Sequence, residues 1–178
     1  MSYAVSVGNS GFCSLQDQTI PFFRSSGSTI LKNIVCKNDV TTSGSLTAKD
    51  CDLNIVKVSG SAFFETSKIN DFSGTGRIEL KGSTIQNCNT SGFLNIEKSS
   101  KIGDVTHSGN VRICNSEVKS ILIKRCSNHF FEFFGYSQAP SLQTVELVGK
   151  DCKIGSITFE EGCQGEVVLK DGAKWIKM

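Results

Sequence analysis

The sequence has little proline, histidine or tryptophan: two, two and one respectively in 178 residues. With two histidines and no Cys-x-x-Cys pair, the usual zinc-ligand spacings are missing. No metal or cofactor is expected. No apolar run approaches the length of a membrane-spanning helix. The N-terminus lacks the charged, apolar and small-residue succession of a secretory signal. The expectation is a cytoplasmic protein, with secretion by a signal-independent route left open. Without an export signal, the eight cysteines read as reduced thiols rather than a disulfide framework. Nor is there an excess of charge of one sign. The 19 basic and 17 acidic residues are mixed along the chain and leave a net charge of +2. Nucleic-acid binding usually needs a basic stripe or patch. The local cluster Lys119, Lys124 and Arg125 reads as a solvated face.

What the chain has instead is a glycine period. Gly27, Gly44, Gly60, Gly76, Gly92 and Gly109 follow one another at intervals of 17, 16, 16, 16 and 17 residues. Each comes after Ser or Thr. The period is too short for helix-pair repeats and suits one coil of a narrow parallel β-helix. Aligned on the glycines, apolar or small residues recur in steps of two, three, two, three and two. After Gly44 they are Leu46, Ala48, Cys51, Leu53, Val56 and Val58. After Gly109 they are Val111, Ile113, Ser116, Val118, Ile121 and Ile123. Residues two apart share one side of a strand. A step of three turns a corner, so three such pairs describe a three-sided coil.

One column is small: Cys51, Ser67, Ser83, Ser99 and Ser116. The next is large and aliphatic: Leu53, Ile69, Ile85, Ile102 and Val118. Alternating sizes fill a narrow interior. The serines read as hydroxyls bonding the local backbone beside a bend rather than as nucleophiles. The glycines suit a bend that needs positive φ or close backbone approach. An amphipathic helix is rejected, because Thr47, Asp52, Glu79, Thr84, Asn95 and Arg112 alternate with the inward set instead of forming a stripe.

The expected fold is therefore all-β. It is a single-stranded, right-handed parallel β-helix with 16–17-residue coils and one short helical insertion. It is one domain over residues 1–178, with an N-terminal segment or cap at 1–26 and regular coils at 27–126. A Phe-rich insertion follows at 127–144, then last coils and a C-terminal cap at 145–178. In the insertion, Phe130, Phe131, Phe133 and Phe134 fall on one face of a helical turn that Ser127 or Asn128 starts and Gly135 ends. With Tyr136 they are the candidate protein-interaction residues. The alternative is that they fold over the rod's own flank. Phe22 and Phe23 at one end, and Trp175 and Ile176 at the other, are candidate plugs for the coil ends. An uncovered end would invite end-to-end association.

No catalytic constellation stands out. Cys114 or Cys126 with His129 lacks a third, orienting group. Gly74-Thr-Gly76-Arg is not followed by the lysine of a phosphate loop. The outward residues are too mixed and charged for an ice-binding face.

The segments Ser43-Gly-Ser-Leu-Thr-Ala48, Thr75-Gly-Arg-Ile-Glu-Leu80 and Ser108-Gly-Asn-Val-Arg-Ile113 resemble the coils of bactofilins, the polymer-forming bacterial cytoskeletal proteins. The resemblance covers most of residues 27–126 and 145–170. It implies a three-sided right-handed rod and a self-assembling structural role, with a second copy as partner. The Phe-rich insertion and the polar small column depart from it. Two other expectations stand beside this one. One is a binding module, such as a bacterial effector, that presents the insertion to a protein partner. The other is a divergent carbohydrate-active β-helix enzyme. The reading from the residues is non-enzymatic, with no nucleic-acid partner.

Overall fold

The computed structural model describes residues 5–6, 11–125 and 142–175. They form one all-β parallel coil, and none of them is helical. The strands are β1 (Val5–Ser6), β2 (Phe12–Ile20), β3 (Phe23–Ser25), β4 (Ser28–Thr42), β5 (Leu46–Lys49), β6 (Asp52–Val58) and β7 (Ala62–Glu65). They continue as β8 (Lys68–Lys81), β9 (Thr84–Glu97), β10 (Lys101–Cys114), β11 (Glu117–Ile123), β12 (Gln143–Val148), β13 (Lys153–Phe159) and β14 (Gly165–Lys170). The long strands bend around a corner of the coil, where a residue pair drops out of the register, as between Ile69↔Ile85 and Asp71↔Asn87. The expected helix lies at residues outside those described, except that Gln143 and Thr144 begin β12.

Every pairing is parallel and joins a coil to the next. Side chains therefore stack in columns. Leu46, Ala62, Ile78, Leu94, Val111, Val145 and Val167 form one. Leu53, Ile69, Ile85, Ile102, Val118 and Ile154 form another. From Leu53 to Ile154 the second column is 3% exposed at most. Burying an aliphatic side chain contributes roughly 1.5–3 kcal/mol, and this column repeats that gain at each level. The register also runs further toward the N-terminus than residue 27, since Cys13 and Leu15 pair with Thr29 and Leu31. Phe23 is fully buried and aligned with Val40, so it belongs to a column rather than plugging an end.

The last inward column is Thr42, Val58, Gly74, Thr90, His107 and Ile123. Gly74 leaves a gap that the Phe72 ring fills, since a Cβ on Gly74 would lie 2.7 Å from Phe72 Cζ. The same ring meets Phe64 edge-on at 5.1 Å, an arrangement aromatic pairs prefer.

The small column is a hydrogen-bond ladder. The backbone N–H groups of Cys51, Ser67, Ser83 and Ser100 donate to the hydroxyls of Ser67, Ser83, Ser100 and Ser116, each at 3.2 Å. Each hydroxyl donates in turn to a carbonyl of its own coil, as Ser83 does to Lys81 at 3.1 Å. Every member thus satisfies a buried amide of the preceding coil. Ser100, not Ser99, occupies this column. Lys98 and Ser99 both adopt left-handed φ, 58° and 59°, and the extra corner residue moves the ladder on by one. Asp50, Thr66, Gly82 and Asn115 hold the equivalent left-handed corner in their coils.

The glycine column has a different task. A Cβ on Gly44, Gly60, Gly92 or Gly109 would collide with the carbonyl oxygen of the glycine one coil before it. Gly76, Gly92 and Gly109 also have positive φ, but Gly44 and Gly60 do not. Close stacking of backbone on backbone is the requirement common to all four.

Candidate functional site

Each end of the rod presents strands that pair on one edge only among the described residues: β2 at the N-terminal end, β13 and β14 at the C-terminal end. At the N-terminal end, β2 pairs with β4, and no described strand pairs with its other edge. Its inward residues Cys13 and Leu15 are half-buried, whereas Leu31, one level deeper, is fully buried. Phe12 is 67% exposed. Asp17 is the one charged residue of β2. Asn33 Nδ2 donates to its carboxylate at 2.8 Å and Gln16 Nε2 at 2.7 Å. These bonds, Asn33 first, hold its pKa below the usual carboxylate value. The edge is therefore nine residues long, nearly uncharged and free of proline.

At the C-terminal end, Asp171 turns the chain, and Ala173 is buried in the core. Trp175 follows, and its Nε1–H donates to the carbonyl of Ile154 at 3.1 Å. Trp175 remains 42% exposed, and Ile176 lies outside the described residues. Charges crowd this end: Glu166 and Lys170 in β14, Lys153 in β13, then Asp171 and Lys174.

Beside the coils, a groove of about 400 Å³ is lined mainly by hydroxyl side chains, with one side-chain amide and one ammonium group, among them Thr41, Lys57, Ser73, Thr75, Asn89 and Ser91. Lys57 is the sole ionisable residue in that lining. Among the described residues, no three His, Cys, Asp or Glu side chains gather as a metal site.

A second polar feature lies around Gln143. Gln143 is 3% exposed. Its Oε1 accepts the Gly109 N–H at 2.9 Å, and its Nε2 donates to the Lys124 carbonyl at 2.9 Å. Lys124 N–H donates to the His107 carbonyl at 2.7 Å, and Asn110 Oδ1 accepts from Thr144 N–H at 2.9 Å. Side-chain amides here replace the backbone partners that an uninterrupted coil would supply. His107 lies inside this clasp and is fully buried. Its Nδ1 is 2.8 Å from Thr90 Oγ1, and its Nε2 has no partner among the described residues. Burial pushes its pKa down to about 4.

The interaction candidates Phe130, Phe131, Phe133, Phe134 and Tyr136 lie outside the described residues, as do Cys126 and His129. Cys114 is half-buried, and its pKa is raised, chiefly by burial. That disfavours the thiolate a nucleophile needs. Cys88 is buried more deeply, and its pKa is pushed up to about 12. Lys119 of the basic cluster is bound to Asp104 at 3.1 Å.

Sequence reasoning missed Gln143 and the interior places of Thr90 and His107. The signal for Thr90 and His107 was available, since they stand two residues after Cys88 and Val105 on the same strand face. Comparison with known protein families, with curated proteins and with solved structures finds no match.

Proposed function

We propose that the chain is a non-enzymatic structural rod that works by associating with further copies through its coil ends, a role of the kind its resemblance to bactofilins implies. One observation carries this reading. The strand β2 offers a long, almost uncharged edge with its inward residues half-open. Such an edge is a template for another strand, and proteins that must stay single usually protect it with lysine, proline or a cover. The flanks offer less: the groove over Thr41, Lys57 and Asn89 has one ionisable residue and no nucleophile–base pair in its lining.

The test is light scattering coupled to size exclusion, with electron microscopy, over a wide range of protein concentration. Mass should rise with concentration for the unaltered chain. Phe12→Lys, which places a charge on the exposed edge, should hold the protein at one chain while its circular dichroism stays that of a β protein. A single-chain mass at every concentration for the unaltered protein overturns the reading.

A further inference from the structure

We infer that copies join head to tail, the β1–β2 end of one seated on the β13–β14 end of another, so that the assembly is an open, polar filament. This rests on the end-association reading and deepens it by naming which surfaces meet. The register carries it. Followed through the pairings, Cys13 and Val167 are the first and last members of one inward column. Leu15 and Leu169 are the first and last of another. Cys13, Leu15 and Val167 are half-buried and Leu169 is 51% exposed, since each has a stacked neighbour on one side only. Setting β2 on β14 gives all four their missing neighbour, through the parallel pairing used at every level of the rod. On the adjoining wall the end strands are β1 and β13, and Val5 holds the register position of half-buried Ile157. Trp175 reaches the start of β13, at the Ile154 carbonyl, and leaves Ile157 and β14 open.

Gly11 is a second, independent observation. It stands opposite Gly27 at one end of the glycine file, and Gly165 stands opposite Gln143 at the other. A Cβ on Gly27 would strike the Gly11 carbonyl oxygen. Gly11 has no such constraint within its own chain. Nothing lies within 4 Å of where its Cβ would be, and its φ is not left-handed. In a head-to-tail stack Gly11 falls against the Gly165 backbone and meets the close approach that governs the rest of its file. Head-to-head contact would instead run two β2 strands antiparallel, a pairing absent among the described strands. Charge does not oppose the stack. Glu166 and Lys170 of β14 are exposed, Lys170 is paired with Glu146 at 2.8 Å, and Phe12–Gln16 carries no charge to face them. A heterologous contact of this kind leaves a free head and a free tail on every assembly, so growth does not close.

Sedimentation over a hundredfold concentration range tests this on the unaltered chain, Gly11→Val, Leu169→Lys and an equimolar mixture of the two variants. Both substitutions fall at exposed positions, and circular dichroism checks the fold; Leu15→Lys or Leu169→Glu takes the place of a variant that loses its β spectrum. The unaltered chain should grow past two copies. Each variant alone has one blocked end, so its contact should weaken at least tenfold and hold it at one chain. The mixture should reach two chains and stop, because one intact head meets one intact tail. A two-chain mass for either variant alone, growth of either like the unaltered chain, or a mixture that does not pair overturns the inference while end association stands. A single-chain mass for the unaltered protein throughout overturns both.

Discussion

Ser83 shows how one hydroxyl serves two coils. It accepts from the Ser67 amide and donates to the Lys81 carbonyl, at 3.2 and 3.1 Å. Ser83→Ala leaves a buried N–H without a partner, a loss of about 1–3 kcal/mol. Urea unfolding should report it as a lower midpoint with an unchanged slope. Ser83→Cys should cost less, because Cys51 and Cys152 occupy the same column. His107 makes a prediction in pH. Its folded pKa of about 4 lies below the ordinary 6.5, so between those values the unfolded chain binds the extra proton. The contribution of neutral His107 is whole above pH 6.5 and is lost as pH falls toward 4. It amounts to roughly 3 kcal/mol from the shift. Thermal unfolding in that window should steepen with acid for the unaltered chain and flatten for His107→Gln. Thr90 and His107 also mark a limit of reading. Their polarity kept them out of the apolar pattern, although strand alternation put them inside.

The coil is the element that the sequence specifies best. Constant spacing from Gly44 and Gly109 placed Leu46, Leu53, Val111 and Val118 inward, and all four are buried. The reading slipped at Ser99, because two adjacent serines are chemically alike and an extra left-handed residue leaves no apolar trace. The corner expected beside the serine column, at the step of three from Ala48 to Cys51, is where the left-handed residues stand. The recurrent left-handed residue is Asp50, Thr66, Asn115 and their equivalents, next to the serine ladder, while Gly44 is needed for close approach. Gly92 combines both demands, with φ 101° and the Gly76 carbonyl in its path. Gly92→Ala should therefore cost more than Ser83→Ala, on the order of 3 kcal/mol when strain and collision are combined. Calorimetry on the two variants side by side checks the order. The clasp at Gln143 was not legible, since its partners Gly109 and Lys124 are 34 and 19 residues away.

Across the whole molecule, stability comes from the continuity of columns, and surface charge adds specificity of stacking. Lys49 faces Glu65 at 3.3 Å, and Lys81 faces Glu97 at 3.6 Å, in one outward file. Exposed pairs of this kind are worth up to about 1 kcal/mol each. Their alternation still penalises any pairing that sets like charges opposite. A break in an interior column is far more serious. Ile85 sits between Ile69 and Ile102, and Ile85→Asp buries an unpaired carboxylate there at a cost of several kcal/mol. The far-ultraviolet β signal of that variant should be lost at room temperature. The evenness of the ends was the part least open to sequence reading, since exposure of Cys13 or Leu169 depends on what is stacked above it. The glycine file, finally, governs how such a molecule can change size. Duplicating or deleting a whole 16-residue unit keeps glycine over glycine, whereas half a unit sets a side chain against a carbonyl. Length is then open to inheritance only in steps of about 4.8 Å, the spacing of adjacent strands, like the marks on a ruler.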